Sequence, residues 1–231
     1  HKKLIDKYND LNEGKVKVIS IDFPNFDFST NERKEILARS LRGTGDGIDI
    51  FAVDPIWVQR FAKWCEPIDN YFTIDEKNKI LRSALEPCYY KGRLVAVPLD
   101  LVSGILYYRE DILLKQKNGK QIIQQIKNQI TWDDFIKLKD KFGLTNPFYI
   151  FPAADYEGLI CSFMELLLSQ NQHYFVEKGF VFNTPEAENA LQLLVDLVNK
   201  YHLSTPKVTD FTEVSSFEYF IVSLAAQFGA Y

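Results

Sequence analysis

"GDGIDIFAVDPIW", residues 45–57, places two glycines before a short apolar run and a tryptophan after it. Its glycines predict the end of a helix, and the apolar run from Ile48 to Val53 predicts a strand that is buried on both faces. Asp54 stands where a helix N-cap belongs, and Pro55 suits the first turn of the helix that follows. Strands of this kind occur in parallel or mixed sheets with helices on their faces. The stretch therefore predicts an α/β fold.

A nucleotide or metal site is a poor explanation of the same stretch. The dinucleotide fingerprint needs a sixth-position glycine, which is Ile48 here, and the glycines follow a helix instead of opening one. The spacing of Asp46, Asp49 and Asp54 does not match a calcium loop. The three histidines are far apart in the sequence, at His1, His173 and His202. We therefore expect no metal and no cofactor.

The first half of the chain continues the alternation of helices and strands. Residues 1–11 predict a helix, "KVKVISIDF" (15–23) a strand, and the next segment a helix capped by Ser29 or Thr30. Farther on, "NYFTIDEKNKILRSAL" (70–85) predicts a helix, and Lys91-Gly92 predicts the turn between two strands, with Pro98 interrupting their pairing.

From about residue 110 the patterns become more helical. Helices are predicted in residues 112–129, in residues 131–142 with Thr131 as cap, and in residues 156–170. A strand at "FVF" (180–182) precedes a helix that Asn183 or Thr184 caps, and the last residues predict a helix that leads into a strand. We expect two domains, 1–108 with a hinge strand and 109–231.

Composition limits the classes of function. The 27 basic and 31 acidic residues give a net charge of −4 without a basic block, which argues against a nucleic-acid partner. No run of about 18 apolar residues predicts a membrane-spanning helix. The aromatic content is 14%, which fits either an aromatic core or a surface on which a ligand stacks. Cys65, Cys88 and Cys161 fit three buried thiols, or a disulfide between the first two.

Three carboxylates stand beside aromatic residues or turns. Asp54 precedes Trp57 by three residues, Asp100 follows Pro98, and Glu157 adjoins Tyr156. Carboxylates that accept hydrogen bonds from hydroxyls, next to rings that stack on pyranoses, are typical of sugar recognition. Two such carboxylates could also flank a glycosidic bond as acid and base. Helix capping or a solvated loop position explains each of them without any ligand.

Several segments resemble one family in the same order along nearly the whole chain. "GDGIDIFAVDPIWVQRFAKW" (45–64) and "YYKGRLVAVPLDLVSGILYYREDIL" (89–113) are the most specific, followed by "TWDDFIKL" (131–138), "NPFYIFPAAD" (146–155) and "NTPEAENALQLLVDLV" (183–198). They resemble the extracellular solute-binding proteins of ABC-type carbohydrate importers, the group that includes maltose-binding protein. The resemblance implies a type II periplasmic-binding-protein-like fold with two α/β lobes joined by hinge strands.

The resemblance also implies a set of ligand-facing residues. The first lobe would supply Asp54, Trp57, Asp100 and Ser103, and the second Phe148, Tyr149, Asp155, Tyr156 and Glu157. Core packing is the alternative for Phe148 and Tyr149, and also for Trp64, which shares a helical face with Trp57.

The implied function is capture of a sugar in the cleft between the lobes and its delivery to a membrane permease, without catalysis. Such a protein would be a periplasmic or extracellular monomer, and attachment to the membrane as a lipoprotein fits the same expectation. Family length implies that roughly 150 residues or more are missing here. Two alternatives stay open: the sensory input domain of a signalling receptor, and a glycoside-processing enzyme that uses Asp100 and Glu157.

Overall fold

The computed structural model describes residues 2–22, 30–43, 47–142, 147–223 and 228–230. The chain divides into two compact units, His1–Val102 and Ser103–Tyr231. The predicted boundary after residue 108 lies six residues later. The strand at Leu106–Tyr108 pairs with Phe228–Ala230 and therefore belongs to the second unit.

The first unit contains five helices and one hairpin among its described residues. The helices are α1 (Lys2–Leu11), α2 (Thr30–Arg42), α3 (Val58–Phe61), α4 (Ile74–Asn78) and α5 (Arg82–Leu85), with single 3₁₀ turns at Pro55–Trp57, Ala62–Trp64, Asp69–Tyr71 and Glu86–Cys88. The hairpin pairs β1 (Tyr89–Tyr90) with β2 (Arg93–Leu94) in antiparallel register.

The hairpin confirms the turn predicted at Lys91-Gly92. Both residues have positive φ, 49° and 78°, as a two-residue hairpin turn requires. Asp69, which lies before the hairpin in the sequence, stabilises β2. Its carboxylate accepts hydrogen bonds from Leu94 N at 3.0 Å and from Arg93 Nε at 2.8 Å.

The strands predicted at residues 15–23 and 48–53 do not form in the described part of the chain. Residues 16–22 and 48–54 have no ladder partner there, and Ile50 is 86% exposed instead of buried on both faces. In place of a neighbouring strand, the Asn9 side chain hydrogen-bonds both backbone groups of Val18, at 2.7 and 2.9 Å. A strand is defined by its partner's hydrogen bonds, so apolar patterning alone was insufficient.

The helix predicted over residues 70–85 is broken into shorter pieces. Thr73 begins α4 with a capping box, in which its hydroxyl accepts from Glu76 N at 3.2 Å and the Glu76 carboxylate accepts from Thr73 N at 2.8 Å. The helix predicted over residues 112–129 is likewise interrupted. The backbone at Gly119 lies so close to Leu113 that a side chain at this position would overlap it.

The second unit contains seven helices and a three-stranded sheet among its described residues. The helices are α6 (Glu110–Leu113), α7 (Gly119–Lys127), α8 (Trp132–Phe142), α9 (Glu157–Gln170), α10 (Tyr174–Lys178), α11 (Pro185–Asn199) and α12 (Glu213–Val222), with a 3₁₀ segment at Pro206–Asp210. The strands β3 (Leu106–Tyr108), β4 (Tyr149–Ile150) and β5 (Phe228–Ala230) have the order β3-β5-β4, antiparallel and then parallel.

The predicted caps of this unit are largely confirmed. Thr131 accepts from Asp134 N at 3.2 Å, and Thr184, not Asn183, caps α11 by accepting from Ala187 N at 3.3 Å. The strand predicted at residues 180–182 is not present. Of the two cap candidates in the first unit, Ser29 lies outside the described residues, and Thr30 is the first residue of α2.

The two units have different cores. The first unit has small clusters, one of which is built on Leu37, Ala38 and Phe61, with the half-buried Trp57 and Trp64 packed against it. The second unit has one large cluster in which α9 and α11 pack against the sheet and α8. The second unit therefore has the larger continuous hydrophobic core.

Candidate functional site

Asp54 and Trp57 form the candidate site of the first unit. Asp54 ends the extended segment 48–54 and occupies the N-cap position of the turn Pro55–Trp57, where its carbonyl accepts from Trp57 N at 2.9 Å. Its side chain makes no cap hydrogen bond and is exposed, with no partner among the described residues. The carboxylate is therefore free to accept hydrogen bonds from a ligand.

Trp57 is anchored by packing and by cations. Its ring packs on the Phe61 cluster, and the Lys34 ammonium lies 4.4 Å from the ring centroid. The indole Nε1 is buried and has no hydrogen-bond partner among the described residues. Glu35 pairs with both Lys34 and Arg60, at 3.6 and 3.4 Å, which offsets part of their positive charge. The Trp57 ring is half-buried and fixed by these contacts, so a ligand can contact only its exposed part.

Asp100 and Ser103 lie in the exposed segment between Pro98 and β3, one on each side of the boundary between the two units. The Ser103 hydroxyl donates to the carbonyl of Gly104 at 3.4 Å, a long bond that a ligand could replace. The Glu165 carboxylate from α9 lies directly against Gly104, where a methyl group would overlap it. Ser103 is thereby close to α9.

Asp155, Tyr156 and Glu157 lie at the start of α9. Asp155 and Glu157 are exposed, whereas the Tyr156 ring folds over Gly158. The Tyr156 hydroxyl accepts a hydrogen bond from Glu213 N at 3.0 Å. Burial, together with the Glu213 carboxylate, raises the pKa of Tyr156, so the phenol stays protonated.

One face of α9 carries Glu157 together with two titratable groups that were not predicted as site residues. Glu157, Cys161 and Glu165 follow one another at intervals of four residues, which places them on one face of the helix. Partial burial raises the pKa of Glu165, and burial with the carboxylates of Glu213, Glu165 and Glu157 raises the pKa of the Cys161 thiol. This face offers hydrogen-bond acceptors. The i, i+8 spacing from Glu157, which is two steps of four residues, was the signal that would have found Glu165.

Phe148 and Tyr149 do not face a site. They are 0% and 4% exposed, and Phe148 lies 4.8 Å from Phe228 and 5.4 Å from Phe135 between ring centroids. Tyr149 is enclosed in the same way by Trp132 at 5.8 Å and by Phe135 at 5.5 Å. The alternative of core packing therefore describes both rings, and we remove them from the candidate ligand contacts.

Other site types find little support in the described residues. There, no group of three or more histidine, cysteine or carboxylate side chains is placed to hold a metal ion. No described helix is both long and apolar enough to cross a membrane. Cys65, Cys88 and Cys161 are free thiols, so the suggested disulfide between Cys65 and Cys88 is absent.

Comparison with known proteins identifies a family. The model of the family described as bacterial extracellular solute-binding protein matches residues 2–216. A curated relative, a probable ABC transporter-binding protein of Deinococcus radiodurans, is 23% identical over 178 residues, which cover 73% of this chain and 41% of the relative.

Solved structures agree with that match. The maltose-bound MalE3 of T. maritima has a TM-score of 0.78 and 27% identity, over 99% of this chain and 56% of its own. A solute-binding protein of Thermotoga lettingae with bound alpha-D-tagatose has a TM-score of 0.72 and 18% identity, over 100% of this chain and 57% of its own. The predicted α/β periplasmic-binding-protein-like fold is thus confirmed. The chain spans little more than half the length of these structures.

Proposed function

Because the chain belongs to the bacterial extracellular solute-binding protein family, we propose that it binds a carbohydrate and delivers it, chemically unchanged, to the membrane permease of an ABC importer. Members of this family work outside the cytoplasm, in the periplasm or at the cell surface. We include attachment to the membrane through a lipid, and action as a monomer, in the proposal.

The observation that carries the proposal is the arrangement of Asp54 and Trp57 in the first unit. A free carboxylate stands at the end of an extended segment, and three residues later a tryptophan ring is fixed by packing. A carboxylate accepts hydrogen bonds from two adjacent sugar hydroxyls, while an indole covers the apolar C–H face of a pyranose. Neither group is suited to a phosphate or to another anion at this place, because Asp54 would repel it.

The second unit supplies matching chemistry on α9. Asp155 and Glu157 are exposed acceptors at the start of the helix. Ser103 adds a hydroxyl whose one hydrogen bond to the described residues is long, at 3.4 Å. Asp100 of the first unit is a further proposed ligand contact. The carboxylates and hydroxyls of this set favour a neutral polyhydroxylated ligand over an acidic sugar. The two cations beside Trp57, Lys34 and Arg60, are each paired with Glu35.

The ligands bound to the similar proteins are also sugars, which supports the proposal of a carbohydrate ligand. MalE3 of T. maritima was solved with maltose, and the Thermotoga lettingae protein with tagatose. These ligands belong to those proteins, and they guide the choice of sugars for a screen of this chain.

A thermal-unfolding screen of the whole chain tests the proposal. The panel holds monosaccharides and short oligosaccharides, with amino acids and glycerol at matched concentrations as controls. A sugar present at 100 times its Kd is expected to stabilise the folded state by about 2.7 kcal/mol and to raise Tm. Stabilisation by amino acids but by no sugar would contradict the carbohydrate assignment.

The same mixtures distinguish binding from catalysis. After prolonged incubation with the sugar that raises Tm most, chromatography is expected to recover that sugar unchanged. Appearance of shorter sugars that depends on Asp100 and Glu157 would instead identify a glycoside-processing enzyme.

A further inference from the structure

A pocket lies at the carboxyl end of α11, and none of its lining residues is a candidate sugar contact. It encloses about 300 Å³, and its lining includes Val198, Asn199, His202, Ser204, Thr205 and Tyr219. This volume is at the lower end of the range for small-molecule sites. A ligand of a few heavy atoms would fit it.

His202 stands at a backbone position that usually belongs to glycine. Its φ is +48°, in the left-handed region, just after the end of α11, and Leu203 N closes the turn by donating to Leu197 O at 2.8 Å. The Lys139 ammonium donates to His202 O at 2.8 Å and holds the turn from the other side. Glycine would form this turn with less backbone strain, so the turn alone does not explain why a histidine stands at position 202.

The polar groups of this pocket are mostly acceptors. His202 Nδ1 lies 3.2 Å from Val198 O, and because a carbonyl only accepts, Nδ1 carries the hydrogen and Nε2 is left as an acceptor. The Asn199 amide donates to Val195 O at 3.1 Å through Nδ2, which leaves Oδ1 to accept. The carboxyl end of a 15-residue helix adds partial negative charge.

Two further features point to a ligand. Ser204 is 2% exposed, and its hydroxyl has no hydrogen-bond partner among the described residues. Such groups are rare in folded proteins unless a water or a ligand pairs with them. The Tyr219 ring is supported on one side by Phe211, with centroids 5.1 Å apart, and remains partly exposed beside the pocket.

From this arrangement we infer that the pocket binds a small organic cation with a primary ammonium group. The ammonium would donate to His202 Nε2 and Asn199 Oδ1 and lie over the Tyr219 ring, whose face attracts cations. Among the described residues, no lysine or arginine lines the pocket, and the nearby Lys139 ammonium is bound to the His202 carbonyl. The site is independent of the proposed sugar contacts, so either proposal can fail alone.

Calorimetric titration of the whole chain with n-butylamine, and with n-butanol as its uncharged match, tests the inference. His202→Gly removes the imidazole and keeps the left-handed backbone, so this variant should fold at least as well as the original chain. His173→Gln is the control for loss of an imidazole elsewhere.

We expect n-butylamine to bind with a Kd in the millimolar range, n-butanol to bind at least about tenfold more weakly, and His202→Gly to weaken the amine at least about fivefold. His173→Gln should leave the amine affinity unchanged. Absence of amine binding, equal binding of the alcohol, or full affinity in His202→Gly would each overturn the assignment.

Discussion

The Tyr156 hydroxyl accepts a hydrogen bond from the backbone N–H of Glu213 at 3.0 Å. This contact joins the residue that begins α9 to the first residue of α12, 57 positions later in the chain. The Tyr156 ring is held on its other side by Gly158, because a Cβ at that position would lie only 2.8 Å from Tyr156 Cε1. Tyr156 therefore positions the start of α9, whatever ligand contacts it also makes.

Replacing Tyr156 by phenylalanine should lower the free energy of unfolding by about 1 kcal/mol. The change removes the acceptor for Glu213 N but keeps the ring over Gly158, and a typical hydrogen bond contributes about that amount. Urea denaturation measures the effect. Tyr71→Phe is the control, because Tyr71 is 80% exposed and should show no loss. Equal stability of Tyr156→Phe and Tyr71→Phe would contradict the structural role assigned to Tyr156.

Gly104→Ala should destabilise the second unit through Glu165. The new methyl group would lie 3.1 Å from Glu165 Cδ and closer still to Oε1. We expect a small loss, about 0.5–1 kcal/mol, because the overlapping carboxylate is the exposed end of a flexible side chain that can move aside. In a double-mutant cycle, Glu165→Ala should recover most of this loss, because it removes the overlapping carboxylate. Strictly additive effects would show that the contact does not exist in solution.

Asp69→Asn should make the stability of the folded chain less sensitive to a fall in pH. Hydrogen bonds from Leu94 N and from the Arg93 side chain lower the pKa of Asp69 in the folded state. A lowered folded pKa contributes stability that is present above the unfolded pKa of about 3.9 and is lost as the pH falls through the folded value. Tm measured from pH 6 to pH 3 should therefore fall less in Asp69→Asn than in the original chain. The exposed Glu66→Gln serves as control, and a parallel fall in all three proteins would contradict the prediction.

Thr184→Ala should cost about 1–2 kcal/mol of stability, as expected for loss of an N-cap. The Thr184 hydroxyl caps α11 and also lies 2.7 Å from the Tyr174 hydroxyl, which itself donates to Val181 O. Thr184→Ser keeps the hydroxyl and should retain most of the stability in chemical denaturation. If serine and alanine behave alike, the cap contributes nothing.

Local signals in the sequence were sufficient where one short segment fixes its own structure. The turn at Lys91-Gly92 and the cap at Thr184 could be predicted because each depends on residues within a few positions. The strands predicted at residues 15–23 and 48–53 do not form in the described part of the chain, because a strand requires a partner elsewhere in the sequence.

The candidate site was predictable only in part, for a related reason. Asp54 was found because it follows an apolar run, and the structure leaves its carboxylate free. Phe148 and Tyr149 were assigned to the ligand because an aromatic residue has the same sequence signature in a core and at a site. Their burial depends on Phe135 and Phe228, which are distant in sequence.

The most direct test of carbohydrate binding compares two tryptophans in one calorimetric experiment. Trp57 and Trp64 pack on the same Phe61 cluster, and each has a lysine ammonium over its ring, at 4.4 Å from Lys34 and 4.0 Å from Lys63. Loss of either ring should therefore destabilise the first unit to a similar degree, which circular dichroism and thermal unfolding would check.

Only Trp57 stands beside the free Asp54 carboxylate, so only its loss should affect the ligand. Using the sugar that raises Tm most, we predict that Trp57→Ala increases Kd by more than about tenfold, whereas Trp64→Ala changes it by less than about twofold. Unchanged affinity in a folded Trp57→Ala variant, or equal weakening by both substitutions, would contradict the assignment of Trp57 and Asp54 to a sugar site.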